Sequence, residues 1–127
     1  MSMQNQIFQV QNAIFQTLSN ANIGVDIIAN RGICVQYPYI IILGTTKVIS
    51  NELQVKTKTE INVVTKDFSI ISSAQILEKI EKTISREAIS PYMEYYSINY
   101  AKVTECGSNP NEEGFFVGKV VVEIILD

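Results

Sequence analysis

The stretch 115–127 alternates in a two-residue period that is typical of a β-strand. Every second residue from Phe116 to Leu126 carries an apolar side chain or glycine, and successive side chains of a strand point to opposite faces of a sheet. The other parity mixes Val117, Val121 and Ile125 with charged residues. The pattern therefore predicts a strand with one fully apolar face and one face that is half apolar.

Three further segments have strand patterns. Tyr39–Leu43 is an aromatic and β-branched run that starts after Pro38 and closes at Gly44, which suits a strand entry. In Val55–Thr65, apolar residues and threonines alternate with charged or amide side chains, which indicates that one face of the strand is exposed to solvent. Residues from Tyr96 to about Thr104 alternate in the same way. On this reading one face of that strand carries Tyr96, Ile98 and Tyr100.

Two segments have the spacing of amphipathic helices. Gln6–Ser19 carries an apolar stripe with a period close to 3.6 residues. Ser72 and Gln75 form a capping-box pattern before a second apolar stripe, and Pro91 is expected to stop that helix. The two stripes consist of Ile7, Val10, Ile14 and Leu18 in the first helix, and of Ile76, Leu77, Ile80, Ile84 and Ala88 in the second.

Together these patterns predict one α+β domain over residues 1–127 in the order α-β-β-α-β-β. We expect a four-stranded, mainly antiparallel sheet with both helices on one face, because short links such as Gly107–Asn111 favour antiparallel neighbours. The mixed segment between the first helix and Pro38 is read as a connecting loop. Two helices cover only one face of such a sheet, so apolar residues on the other face favour self-association.

Two patches are predicted to form that oligomer interface. The first is the connection Thr45–Gln54, which is more apolar than a solvated loop requires. The second is the outer face of the last strand. A tyrosine near the third strand is also predicted to belong to the interface. The predicted interface residues are Val48, Ile49 and Leu53 in the connection, Val117, Val121 and Ile125 in the strand, and Tyr95.

The composition disfavours most catalytic mechanisms. Histidine is absent, which removes Ser-His-Asp and Cys-His chemistry. No phosphate-binding glycine motif or nucleophile elbow occurs. The carboxylate pairs Glu112–Glu113 and Glu78/Glu81 lie among polar or charged neighbours and are read as solvated. We therefore expect a protein that is not an enzyme and has no catalytic, cofactor-binding or metal site.

Charge and hydropathy disfavour nucleic acid and membranes as binding partners. The net charge of -3 gives no basic footprint for nucleic acid, and no apolar run approaches a membrane span. The polar Met1–Gln6 has no secretory pattern, so we expect no export. Cys34 and Cys106 are read as reduced thiols, although the sequence also allows a disulfide between them.

An alternative function is a small-molecule or peptide binding module of ferredoxin-like build, using the open sheet face and the cluster Tyr92, Tyr95, Tyr96 and Tyr100.

The whole pattern resembles the tail-completion or tail-terminator proteins of long-tailed bacteriophages and gene transfer agents. The resemblance covers nearly the full chain, and Pro38-Tyr39-Ile40-Ile41-Ile42-Leu43-Gly44 is its most recognisable piece. It also includes the helix Ile7–Leu18, the loop Asn30-Arg31-Gly32-Ile33, the helix opening Ser73-Ala74-Gln75-Ile76-Leu77 and a closing hairpin. The chain departs from many relatives at Ile61-Asn62-Val63-Val64 and at Asn111-Glu112-Glu113-Gly114.

The resemblance implies a structural subunit that catalyses no reaction. Such a subunit forms a ring, expected to be a hexamer, at the end of a tail tube, where it stops tube growth and joins the head connector or head-closure protein. Its implied partners are further copies of itself, the tail-tube protein and that connector. Its implied location is the host bacterial cytoplasm during assembly and the virion tail or neck afterwards.

Overall fold

The computed structural model describes residues 3–28, 37–50, 54–66, 70–110 and 116–127. A short 3₁₀ helix, Ser90–Tyr92, follows the last α-helix. The α-helices are α1 (Met3–Ser19), α2 (Ile70–Thr83) and α3 (Arg86–Ile89), and the strands are β1 (Asp26–Ile28), β2 (Tyr39–Ser50), β3 (Val55–Thr65), β4 (Ile98–Pro110) and β5 (Phe116–Leu126).

The strands form one mixed sheet in the order β1-β2-β3-β5-β4. β1 lies parallel to β2, and the other neighbours pair antiparallel. The prediction of a four-stranded, mainly antiparallel sheet with two helices in the order α-β-β-α-β-β was therefore wrong. The described residues form five strands and three α-helices. β1 escaped the sequence reading because Asp26–Ile28 is too short to display a period, and the stretch was read as a loop.

The second predicted helix also differs from the observed one. It begins at Ile70, two residues before the predicted cap Ser72, and it ends at Thr83 instead of continuing to Pro91. The chain bends there because Ser85 adopts an extended conformation and its Oγ accepts a hydrogen bond of 3.1 Å from the backbone N–H of Ala88. A serine in that position starts a new helix, so the predicted single helix is split into α2 and α3.

β-Bulges change the predicted faces of two strands. β2 runs past Gly44 to Ser50 and accommodates one extra residue at Leu43 and another at Val48. β4 carries extra residues at Asn99 and Thr104. A bulge shifts the alternation by one residue, so the prediction that Ile98 and Tyr100 share a face was wrong. Ile98 pairs with Leu126 on the helix-covered face, and Tyr100 pairs with Ile125 on the opposite face.

The hydrophobic core lies between the helices and one face of the sheet. Ile61 is at its centre, fully buried in β3 between Ile42 of β2 and Val120 of β5. Gly118 allows α2 to approach β5 closely, since a Cβ there would lie 2.9 Å from Cδ2 of Leu77. Fully buried helix residues complete the core, namely Val10, Ala13, Ile14 and Leu18 of α1, Ile80 of α2 and Ile89 of α3.

Threonines occupy one end of this otherwise apolar face. Thr57 is fully buried, and its Oγ1 donates a 3.1 Å hydrogen bond to the carbonyl oxygen of Ile124. Thr45 and Thr59 face each other across β2 and β3, with their hydroxyl oxygens 2.7 Å apart. Buried hydroxyls are tolerated when they are hydrogen-bonded, so these pairs explain how a threonine-rich strand can serve the core.

Candidate assembly surface

The sheet face opposite the helices, here called the open face, holds the predicted strand patch. Val121 and Ile125 are only 6% and 5% exposed within the single chain, and Val117 is half-buried. By strand register, Glu60 and Glu105 flank Val121. Two of the three stripe residues are thus already buried within the single chain, so their burial does not require a second chain. Its membership of an interface stays a prediction.

A buried carboxylate organises the open face. Glu123 is 5% exposed, and its Oε1 lies 3.3 Å from Nζ of Lys56 and accepts a hydrogen bond from the hydroxyl of Tyr100. Nζ of Lys102 lies 5.2 Å from the centre of the Tyr100 ring. Burial is the largest influence and acts to raise the pKa of Glu123. The hydrogen bonds from Tyr100 and Lys56 and the two lysine charges outweigh it, so the pKa is held below its ordinary value.

This arrangement predicts how stability depends on pH. Because the folded pKa of Glu123 is lowered, its contribution is full above the unfolded carboxyl pKa of about 4.3. The contribution disappears as the pH falls through the lower folded pKa. The hydrogen bond to Glu123 raises the pKa of Tyr100, so the tyrosine contribution is present below its unfolded pKa of about 10. That contribution is lost as the pH rises through the raised folded pKa.

Replacing Glu123 by glutamine should lower the free energy of unfolding by about 1–2 kcal/mol at neutral pH, since hydrogen bonds to a charged group are lost. The difference from the natural protein should shrink as the pH falls through the lowered folded pKa of Glu123. Urea unfolding at several pH values measures it. Tyr100→Phe is the matched variant, and it should remove the alkaline loss of stability. A difference between Glu123→Gln and the natural protein that stays constant with pH would contradict this assignment.

Four of the five exposed large hydrophobic side chains among the described residues lie at one end of the domain. The fifth, Tyr37, lies at the other end, beside Tyr39. The remaining four define a surface that we call the apolar end. They are Phe8 (70% exposed), Val48 (50%), Ile49 (39%) and Tyr95 (67%).

Hydrogen bonds and strand register place these four residues together at that end. The ammonium group of Lys47 donates to Oε1 of Gln6, two residues before Phe8 in α1. The backbone N–H of Tyr95 donates to Oε1 of Gln9 at 3.3 Å. The strand ends are level, since paired residues run across the sheet through Ser50, Val55, Leu126 and Ile98.

The apolar end contains three of the predicted interface residues, Val48, Ile49 and Tyr95. Leu53 lies outside the described residues, and Val117, Val121 and Ile125 lie on the open face. Phe8 was missed by sequence reasoning because it falls outside the helical stripe that packs on the core. A phenylalanine opposite the buried stripe of an amphipathic helix is the signal that could have identified it.

A cleft opens beside Tyr95, between α3, the 3₁₀ helix and the start of β4. It encloses about 370 Å³, and we call it the tyrosine cleft. Its lining includes both apolar and charged side chains, and exposed Glu94 is part of it. The residues that line it are Arg86, Ser90, Met93, Glu94, Tyr95, Tyr96, Ser97 and Ile98.

The tyrosines predicted to form one cluster are divided among different surroundings. The hydroxyl of Tyr92 accepts a 3.1 Å hydrogen bond from Nδ2 of Asn20. Tyr95 and Tyr96 line the tyrosine cleft, whereas Tyr100 lies on the open face with Glu123. The predicted pocket combining all four tyrosines with the open face is therefore absent from the part of the chain that the structure describes.

The remaining candidates for chemistry are dispersed. Across the described ranges, no three His, Cys, Asp or Glu side chains converge on a point where a metal ion could bind. Glu78 forms an ion pair of 2.8 Å with Lys82, whose hydrogen bond lowers the pKa of that carboxyl. Cys106 is an exposed residue of β4 with a free thiol. Partial burial of its sulfur, and next the hydrogen bond with Glu81, raise the pKa of the thiol. Cys34 and Glu112–Glu113 lie outside the described residues.

None of the described helices is long and apolar enough to span a membrane.

In the part of the chain that the structure describes, five strands with the helices on one face form a small α+β domain with an exposed apolar end. No protein-family model and no curated protein matches the sequence. A solved structure with the same fold is a chain of the "Virion of native gene transfer agent (GTA) particle", with a TM-score of 0.78 and 10% sequence identity. The similarity covers 92% of this chain and 93% of that chain.

Proposed function

We propose that this chain is a structural protein of a phage-type or gene-transfer-agent-type virion. In this proposal it forms a ring that caps the tail tube and joins it to the head connector, and it catalyses no reaction. The observation that carries the proposal is the fold shared with a gene-transfer-agent virion chain over nearly the whole length of both proteins. The tail-terminator pattern in the sequence, from Pro38 to Gly44, supports the particular position in the tail.

The apolar end supports assembly independently of that likeness. Four large hydrophobic side chains, Phe8, Val48, Ile49 and Tyr95, are between 39% and 70% exposed at one end of the domain. Exposed large hydrophobic side chains at one end of a small domain favour a contact with another protein. The proposed contacts are with further copies of this chain, with the tail-tube protein and with the head connector. Assembly would take place in the bacterial cytoplasm.

The proposal predicts that the purified protein stops the growth of tail tubes. Tubes assembled from the tail-tube protein of the same particle should acquire ring-shaped density at one end, and their mean length should stop increasing. Electron microscopy of negatively stained tubes measures both effects. Lys79→Glu, an exposed change on α2 away from the apolar end, should cap tubes as the natural protein does. Tubes that grow at an unchanged rate, with bare ends, would refute the proposal.

The tyrosine cleft favours a second candidate function, the binding of a small molecule or peptide. Its volume of about 370 Å³ lies at the lower end of the range for ligand pockets, roughly 300–1,000 Å³. Its mixed charged and hydroxyl lining is less apolar than such pockets usually are. Thermal shifts with a metabolite panel separate the two functions, because a tail protein should respond to tube subunits and not to metabolites.

A further inference from the structure

We propose that the ring contact is made by insertion of Val48 and Ile49 of one copy into the tyrosine cleft of the next copy. Lys47 of the first copy then faces Glu94 of the second. The inference rests on the proposed ring and specifies which two surfaces meet. The contact uses different surfaces on the two subunits, so each copy presents one of each.

At the apolar end, the two surfaces lie at opposite edges of the sheet, one at β2 and the other at β4. β1 pairs only with Tyr39–Ile41, so β2 is the outer described strand at Val48 and Ile49. β4 is the outer strand on the other side, and Ile98 at its start lines the tyrosine cleft. Three strand spacings separate β2 from β4, which is about 14 Å. Neither surface can therefore reach the other within one chain, but each is accessible to a neighbour.

The two surfaces are also level along the strand direction. Ser50, next to Ile49, begins a row of paired residues that crosses the sheet to Ile98. A contact between different surfaces generates a ring when successive copies are related by rotation alone, and a filament when each copy is also displaced along the axis. Surfaces at the same level add no displacement along the strands, which favours a closed ring around an axis parallel to them.

The chemistry of the two surfaces is complementary. Val48 and Ile49 are 50% and 39% exposed, and Met93, Tyr96 and Ile98 supply the apolar part of a cleft lining that is otherwise polar. The cation in that lining, Arg86, is paired with Glu87 at 3.3 Å. Lys47 is held by a neutral partner, the side-chain oxygen of Gln6, so its charge is uncompensated there. Glu94 is exposed in the cleft and forms no ion pair with the described residues. Opposite charges on facing surfaces fix the register of a contact and exclude wrong pairings.

A charge exchange tests the contact. Glu94→Lys and Lys47→Glu should each abolish the ring, because every contact then places like charges together. The double variant Lys47→Glu/Glu94→Lys should restore the ring mass. An equimolar mixture of the two single variants should also assemble, as an alternating ring, since each cationic surface then meets an anionic one. Native mass spectrometry and light scattering measure the mass, and circular dichroism checks that each variant is folded.

Other results would contradict the contact, the pairing of Lys47 with Glu94, or the proposed function. Single variants that form the natural ring would overturn the contact and leave the proposed function intact if tubes are still capped. Folded single variants that dissociate, with no recovery in the double variant or the mixture, would overturn the pairing of Lys47 with Glu94. A natural protein that stays monomeric both alone and with tail tubes would overturn this inference and the proposed function together.

Discussion

Replacing Ile61 by alanine should lower the free energy of unfolding by about 2–5 kcal/mol, the range for truncating a fully buried isoleucine. Ile61 is 0% exposed in the middle of β3, and its paired neighbours Ile42 and Val120 are 2% and 0% exposed. Strands on both sides and helices above prevent the surrounding residues from closing the cavity. A domain of this size is stabilised by about 5–15 kcal/mol in total, so the loss would be a large fraction.

Urea unfolding followed by circular dichroism measures this change, with the stability difference taken from the midpoint at unchanged slope. Ile61→Val is the matched control, and it should cost only about 0.5–1.5 kcal/mol because one methylene is removed. Equal costs for the two variants would show that the cavity does not determine the loss. A cost below that of the valine variant would contradict the central position of Ile61 in the core.

Replacing either Thr45 or Thr59 by valine should destabilise the protein more than replacing both. Their hydroxyl oxygens are 2.7 Å apart, and the two residues are 9% and 0% exposed. A single substitution leaves the other hydroxyl without its partner in a buried site, which costs about 1–3 kcal/mol. The double variant removes both hydroxyls at nearly constant shape, and such a replacement can be close to neutral.

A double-mutant cycle measures the coupling between the two hydroxyls. We expect the sum of the two single losses to exceed the loss in the double variant by about 2–6 kcal/mol, because each single variant leaves one buried hydroxyl unpaired. Thr57→Val provides a comparison, because its hydroxyl donates to a backbone oxygen of Ile124 and no second threonine is left unpaired. Strictly additive losses at Thr45 and Thr59 would indicate that the hydroxyls do not bond to each other in solution.

The long strands could be predicted because alternation acts over many residues. β3 (Val55–Thr65) has the predicted bounds, and β5 (Phe116–Leu126) lies within the predicted stretch 115–127. Each is long enough for a two-residue period to be unmistakable. β1 has three residues, and its pairing with β2 depends on contacts distant in sequence. The bulge at Asn99 had no local signal either, because an extra residue in a strand is defined by its partner strand.

The candidate surface was predicted in part. Val48, Ile49 and Tyr95 lie exposed at the apolar end, although Val48 and Ile49 belong to the end of β2 and not to the predicted connection. The burial of Val121 could not be predicted from its own strand. It depends on which strands lie beside β5. The tyrosine cleft depends on the break at Ser85, which the predicted continuous helix had hidden.

The bulges on β2 and β4 limit how this sheet can grow. Each strand carries two extra residues, and the outward backbone groups of a bulged strand do not align with those of a straight incoming strand. Copies of the chain are thereby discouraged from stacking edge to edge into amyloid-like fibres. In the proposed ring, association is left to side-chain contacts, which can stop after a fixed number of subunits.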